Sequence, residues 1–470
     1  RGVFERPVSA VQDSAATRPS EQGSSTVTNP DHEIEWCERR ILQRIHRLTL
    51  ATARKQIEPV TPAVYMRWLL GWQHLAQQTQ LAGEEGVLTA LHQLEGFEAP
   101  AVEWERTLLP ARVANYDPRW LDQLCLSGAV GWGRISPHPA WAEGDGSAPR
   151  RVVPTNAAPI TFYVRETAEW MPYALAQQSV DEQLLAAALT EDAVRVRALL
   201  AQRGACFAAD LQRLTGFTRQ QTAHALWELA TAGLASADGF DQLRALMDPR
   251  RKSAAPEIAA KKPARAGAGR TTAGRWSLLN ETPERRDTTG KEQAIAAARQ
   301  TDRAMESFAR MLLTRYGVLF RDLLTRESNA PKWRELLNIL RRLEARGDVR
   351  GGRFVTGFGG EQFALPEAVD SLRAARRDTT EQEIAVAAAD PLNLAGIVVN
   401  GERVPAVPGK EVRYRNGSLA DEGGDGDANA SEMPPMPKSR AVIAARRGSI
   451  IPTATPHVLL DNTSVAPTLF

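Results

Sequence analysis

The sequence predicts a mainly α chain with small β elements, and three observations carry that expectation. Apolar residues recur at helical spacing, as in Ile41, Ile45 and Leu48 and in the broader stripe Met66, Leu69, Leu70, Trp72 and Leu75. Stretches that read as strands are short and follow glycines. One local pattern, Leu-x-x-Leu-x-x-x-Gly followed by a small apolar stretch, occurs at Leu121-Leu124-Gly128, Leu226-Leu229-Gly233 and Leu340-Leu343-Gly347. A glycine just past a helix end takes positive φ without a Cβ clash, so each copy reads as a helix that stops there. Val130, Leu234 and Val349 then enter a strand. Another short helix and a tight turn precede the last two copies (Asp210 to Leu214 with Gly216; Phe320 to Leu324). Helix, turn, helix and β wing make the winged-helix plan, so the fold class is a tandem winged-helix array plus a small β module. The third wing is the most fully written, running from Val349 to Leu365 as two strands around glycines.

The elements follow in order. Residues 1–32, rich in Ser, Thr, Pro, Gln and Ala, read as a linker. Residues 33–178 read as a helical, winged-helix-like domain with a β insertion. Pro59 and Pro62 separate its first two helices, a loop spans Glu143 to Pro149, and Arg151 to Val153 and Ile160 to Arg165 read as strands. Residues 179–248 form the second winged helix. Residues 249–291 are a basic Ala/Pro/Gly-rich linker, with Arg250, Arg251, Lys252, Lys261, Lys262, Arg265 and Arg270, that cannot build a core. Residues 292–378 are the third winged helix. Residues 379–419 are the β module, read from Ile384-Ala-Val, Gly396-Ile-Val-Val and Glu411-Val-Arg-Tyr. Residues 420–470, with Gly423-Gly424-Asp425-Gly426-Asp427 and Pro434-Pro435, read as a disordered tail.

Composition narrows the function classes. The 470 residues hold 58 Lys and Arg against 56 Asp and Glu, a net charge of +2, so overall charge does not announce a nucleic-acid partner. The longest apolar runs fall far short of the ~20 residues that span a bilayer, so no membrane is expected. Cys37, Cys125 and Cys206 lack paired-ligand spacing and suit a reducing, cytoplasmic compartment. The chain opens on Arg1 and its first methionine is Met66, which reads as a piece of a longer protein. Gly290-Lys291 is followed by Glu292 and lacks the upstream glycine of a phosphate-binding loop, so an ATPase motor is not expected in this piece. The scattered histidines and cysteines propose no metal site.

Local charge is more telling. Residues 303–377 hold 15 basic and 9 acidic side chains, a local +6. On the last helix of the second winged helix stand Arg219, Gln220, Gln221 and His224. On the third stand Lys332, Trp333, Arg334, Arg341 and Arg342, with Arg350 and Arg353 on its wing. Such a face would contact phosphates, and an aromatic beside it would stack on unpaired bases. The alternative for each is a solvated helix face or a protein-protein surface.

Several stretches in series resemble the C-terminal region of the bacterial large helicase-related (Lhr) proteins: Met66-Arg-Trp-Leu-Leu-Gly-Trp-Gln-His-Leu, Gly131-Trp-Gly-Arg-Ile-Ser, Thr155-Asn-Ala-Ala-Pro-Ile-Thr-Phe, Gly274-Arg-Trp-Ser-Leu-Leu, Thr356-Gly-Phe-Gly-Gly-Glu-Gln-Phe-Ala-Leu-Pro and Ala389-Asp-Pro-Leu-Asn-Leu. They spread over residues 33 to 415. The resemblance implies a superfamily-2, ATP-dependent DNA helicase with DNA-repair associations, whose motor lies upstream in cis and takes the ATP and Mg²⁺. This piece is then expected to need no cofactor of its own and to bind single-stranded or partly duplex DNA. The stretch Arg67 to Leu75 is also similar to the tandem winged-helix alkylpurine DNA glycosylases, which carry Gln-x-Gln or Gln-x-Asp there to position a water at the anomeric carbon. This chain keeps Gln73 but has Leu75 at the second polar position, and leucine neither polarises water nor stabilises a sugar cation. His74, if helical, points about 100° away from Leu75. Asp390 is the substitute acid to consider, its alternative being an Asx turn before Pro391. A glycosylase for uracil or an alkylated base, with Gln73 and Asp390 as catalytic residues, is therefore one alternative to a DNA-binding role. A homo-oligomerisation module is another.

Overall fold

The computed structural model describes residues 2–4, 35–141, 151–176, 182–247, 274–279, 290–378 and 380–420. The cations at 250–270, the loop at 143–149 and the tail beyond residue 420 lie outside them.

The three Leu-Leu-Gly copies are equivalent helices. Gly128, Gly233 and Gly347 have φ of 81°, 81° and 87°. In the second and third copies the residue after the glycine closes the turn, Leu234 donating to the Leu229 carbonyl at 2.9 Å and Asp348 to the Leu343 carbonyl at 3.0 Å. Both leucines of every copy are buried.

Each helix belongs to a winged-helix unit with one topology. The first unit runs through the helix Gly83–Gln93, the strand Ala99–Pro100, helical turns over 101–112, the helix Pro118–Leu126 and the strands Val130–Gly133 and Pro159–Val164. The second runs through Glu191–Arg203, Cys206–Phe207, Ala208–Thr215, Arg219–Ala232, Ala235–Ala237 and Arg275–Leu278. The third runs through Gly290–Tyr316, Val318–Leu319, the 3₁₀ turn Arg321–Arg326, Trp333–Arg346, Arg350–Gly352 and Gln362–Ala364. In each antiparallel sheet the last strand lies in the middle.

Some elements differ from the sequence reading. The first copy does have a preceding helical segment, broken by a π turn at Trp104–Leu108. Pro110 hides it from the pattern, because proline cannot donate to the preceding turn and the helix widens there. Arg275–Leu278, within the stretch read as linker, is the central strand of the second sheet. Gly2–Phe4, at the start of the first linker, pairs with Glu35–Cys37. Arg151 to Val153 is not a strand; Val152 instead donates to the Ala188 carbonyl at 3.0 Å. Ile41, Ile45 and Leu48 are helical, but they are 50%, 52% and 56% exposed, so their stripe faces no core.

Two hydrophobic cores organise the units. The first and second winged helices share one, around Trp104, Trp132, Phe162, Phe240 and Trp276. The third shares the other with the helix Pro62–Trp72 and the β module. That module is an antiparallel meander of Glu383–Ala387, Glu411–Arg415 and Ser418–Leu419. Gly396-Ile-Val-Val is not one of its strands; it forms a turn closed by an isolated bridge between Ala395 and Val399, with Val398 and Val399 packed inward.

The hairpin turn of the meander docks on the helix Pro62–Trp72 through Gly417, at φ 83°, where a Cβ would collide with the Ala63 carbonyl oxygen. Gly347 has the same backbone sign and open space around it. Gly347→Ala is expected to lose about 1 kcal/mol, the left-handed backbone term alone. Gly417→Ala should lose at least twice that, because the collision is with backbone. Urea unfolding of the two variants checks this, and equal losses would refute the close approach.

Candidate functional site

Gln73 and Asp390 are brought together by a third residue. Gln73 caps the helix Pro62–Trp72, its amide N–H donating to the Leu69 carbonyl at 2.9 Å. Its side-chain Nε2 donates to the Arg315 carbonyl at 2.9 Å, and its Oε1 accepts from Arg112 Nη2 at 2.7 Å. Arg112 ends the helix Leu109–Arg112 and grips Asp390 with two nitrogens, Nη1 to Oδ2 at 2.7 Å and Nη2 to Oδ1 at 3.0 Å. Nη1 also donates to the Leu108 carbonyl at 3.1 Å. Asp390 Oδ1 accepts from the Leu392 amide at 2.9 Å, which is the Asx turn around Pro391.

Two further arginines frame the group. Arg326 donates to the Asp390 carbonyl at 2.7 Å and to the Ala388 carbonyl at 3.0 Å. Buried Arg315 is paired with Glu327 and donates to the Glu95 carbonyl. Arg315 and Arg326 each lie 5.4 Å from the centre of the Phe97 ring. Nearby, burial pushes the Tyr316 hydroxyl well above its ordinary range, and the Glu327 carboxylate adds to the effect.

Gln73, Arg112 and Asp390 are 0%, 0% and 1% exposed. In this arrangement the carboxylate is saturated by a bidentate guanidinium and closed to solvent, so attack by an activated water requires the pair to open. The helix ends at Trp72, so His74 is not helical. It sits at φ 63°, with Nδ1 2.8 Å from the Thr79 carbonyl, and the 100° argument for its direction does not apply. Leu75 is buried, its amide closing the helix end on the Leu70 carbonyl at 2.9 Å.

The surface candidates divide. Arg219, Gln220 and His224 are exposed on the helix Arg219–Ala232, whose start is fixed by a capping box between Thr218 and Gln221. His224 lies 3.9 Å from Glu228. Lys332, Arg334, Arg350 and Arg353 are exposed and make no ion pair among the described residues. Arg341 is held by Glu361 at 3.0 Å and Arg342 by Asp302 at 2.9 Å. Partial burial raises the Glu361 carboxyl, but hydrogen bonds from Arg341 and Arg54 hold it below its ordinary range. Trp333 is half-buried against the core and offers only part of its ring. Arg315 and Arg326, counted in the local +6, point inward, so the exposed face is less cationic than that figure.

Sequence reasoning missed Arg112, Arg315 and Arg326. The available signal was a lone arginine in an apolar run, as in Leu108-Leu-Pro-Ala-Arg-Val and Met311-Leu-Leu-Thr-Arg-Tyr. Such an arginine is buried only when paired. Sequence reasoning read the helix Arg39–Lys55 from its apolar stripe and missed its basic residues, of which Arg54 pairs with Glu344 and, at 2.9 Å, with Glu361 beside the third wing.

Removing one partner of a buried ion pair leaves an uncompensated charge. Asp390→Asn and Arg112→Met are each expected to lose about 3–5 kcal/mol, while the double variant Arg112→Met/Asp390→Leu should recover part of that loss. A double-mutant cycle by urea denaturation measures it; additive losses would show that the pair does not couple.

The winged-helix domain of the large helicase-related protein matches at residues 60–148 and again, as a separate domain type, at residues 297–384. The unit at 191–278 lies outside both matches. The chain is 30% identical over 377 residues to the Lhr helicase/probable uracil glycosylase of Mycolicibacterium smegmatis, covering 77% of this chain and 23% of that protein. It is 29% identical over 426 residues to the Lhr helicase/uracil glycosylase of Escherichia coli, covering 82% of this chain and 25% of that protein. It therefore spans about a quarter of the length of the curated relatives it matches. Among the described residues, no helix is long and apolar enough to cross a membrane. Two domain matches and two relatives agree on one family, and the chain is a winged-helix region of the large helicase-related proteins.

Proposed function

We propose that this region binds DNA, preferentially single-stranded, and serves an ATP-dependent helicase motor in cis during DNA repair. The observation that carries the reading is the third winged helix, which presents Lys332, Arg334, Arg350 and Arg353 to solvent with no carboxylate among the described residues neutralising them. Exposed cations on a recognition helix and wing release counterions when they meet phosphates. Arg219 and Gln220 extend the same chemistry to the second unit, and Arg341 and Arg342 join once their surface carboxylates exchange for phosphate, since such pairs are weak. The region needs no cofactor in this reading; ATP and Mg²⁺ belong to the motor, and the compartment is the cytoplasm.

The test is fluorescence anisotropy of the chain on labelled single-stranded and duplex oligonucleotides over a salt series. Arg334→Ala/Arg350→Ala/Arg353→Ala should flatten the single-strand salt slope by about 0.7 for each phosphate that is no longer neutralised. An unchanged slope would remove these residues from the interface.

A second reading is a glycosylase acting on uracil or an alkylated base. The names of both relatives favour uracil, and the convergence of Gln73 and Asp390 on Arg112 supplies a polar cluster for it. Opening of the Arg112 pair would free Asp390 to act on water or on the sugar cation. Alkali cleavage of uracil-containing single strands should then occur with the wild-type chain and fall at least a hundredfold in Asp390→Asn, with folding checked by circular dichroism. If the wild type leaves no abasic sites on DNA that it binds, the region only grips. Light scattering addresses the homo-oligomer reading, for which the exposed Ile41, Ile45 and Leu48 offer a surface.

A further inference from the structure

The residues flanking Gln73 face elsewhere than Gln73 itself. Trp72 and His74 line a hollow of about 650 Å³ together with Arg67, Trp68, His92 and Gln93. The Trp68 and Trp72 rings stack on each other, centroids 5.1 Å apart and planes 28° apart. Both indole N–H groups are already used, Trp72 donating to the Thr314 carbonyl at 2.9 Å and Trp68 to Ser371 Oγ at 3.0 Å. The rings are thereby fixed, and the hollow receives aromatic surface rather than indole donors.

Its polar lining is incomplete. Gln93 is 7% exposed, and its Nε2 is committed to the Trp72 carbonyl at 2.7 Å, which orients the amide and leaves Oε1 buried with no hydrogen-bond partner among the described residues. Arg67 Nη2 is committed to the Ala375 carbonyl at 2.8 Å, while its Nε has no partner among the described residues. His74 Nδ1 faces the Thr79 carbonyl, which can only accept, so in the neutral ring the other nitrogen is an acceptor. A buried acceptor left unmade costs about 1–3 kcal/mol, so a ligand that supplies a donor recovers that energy.

We propose that this hollow takes one unpaired nucleobase of a bound single strand, stacked on Trp72 with a ring or amino N–H donating to Gln93 Oε1. The inference rests on the nucleic-acid reading and deepens it. A flat π system with donors on its edge matches fixed aromatic walls and an orphaned acceptor. A free phosphate does not, because the hollow has mainly apolar walls and Asp378 lies among its lining residues with Arg67. The hollow is separate from the Gln73–Arg112–Asp390 group, whose side chains lie in the core.

The experiment compares single strands of ordinary DNA, ordinary RNA and all-abasic DNA on the full chain by anisotropy, with 2-aminopurine placed along the DNA to report stacking. Trp72→Ala should bind ordinary strands about tenfold more weakly, leave abasic binding unchanged and abolish the 2-aminopurine quenching. Gly71→Leu fills the hollow from the helix Pro62–Trp72, where Gly71 lines it and a Cβ would meet the Thr79 methyl at 4.0 Å, an ordinary contact. It should reproduce both effects with an unchanged melting temperature, which keeps the test decisive if Trp72→Ala misfolds. Equal losses on ordinary and abasic strands, or undiminished quenching in Gly71→Leu, would overturn the pocket while leaving strand binding by the arginines intact. A wild-type chain that binds none of the strands would overturn both readings. The DNA and RNA arms identify which strand supplies the base.

Discussion

A guanidinium with no solvent access is the constraint on which the rest of the structure depends. Arg112 is 0% exposed, and taking such a charge out of water costs several kcal/mol unless it is matched by a counter-charge and filled hydrogen bonds. Its partners come from distant parts of the chain: a carboxylate from the loop after strand Glu383–Ala387, an amide oxygen from the end of the helix Pro62–Trp72, and a carbonyl from its own helical turn. The β module and the first helical layer are correct only when both deliver their oxygens to one place. Arg326, on the backbone of the same loop, and Arg315, which accepts from Gln73 through its carbonyl, bind the third winged helix into the arrangement.

The end of the helix Pro62–Trp72 serves two environments at once. Gln73 turns into the arginine group, while Trp72 and His74 turn to the hollow on its other side. Trp72 and Gln73 diverge because successive residues on a helix point about 100° apart, and the left-handed φ of His74 redirects the chain after them. The Gln-x-Leu stretch, which has leucine at the second polar position of the glycosylase pattern it resembles, forms a helix cap whose neighbours face different surroundings.

The exterior follows a simpler rule. Where carboxylates stand opposite arginines, as for Arg341, Arg342 and Arg54, the cations are tied down within the protein. Where the wing and the start of the helix Trp333–Arg346 leave the third unit, Lys332, Arg334, Arg350 and Arg353 have no such partner among the described residues. Net charge, near zero for the chain, averages over these two populations and over the buried arginines.

Much of the fold was legible in the sequence because it depends on local physics. Leucine spacing and a glycine able to take positive φ determine the three helices and their ends, and the third wing is written in its glycines. Gln73 and Asp390 stood out through resemblance to known proteins. The π turn Trp104–Leu108 and the central strand Arg275–Leu278 did not, since one breaks the helical period and the other lies beside a tract of linker composition. Tertiary structure alone decided that Ile41, Ile45 and Leu48 face no core and that Arg112 joins Gln73 to Asp390. It also left the Gln93 oxygen without a partner among the described residues, beside two tryptophans. Periodicity reports which face of an element is apolar; which side chains meet across distant segments is set by packing and by the need to satisfy each buried charge, and neither is written in any one segment.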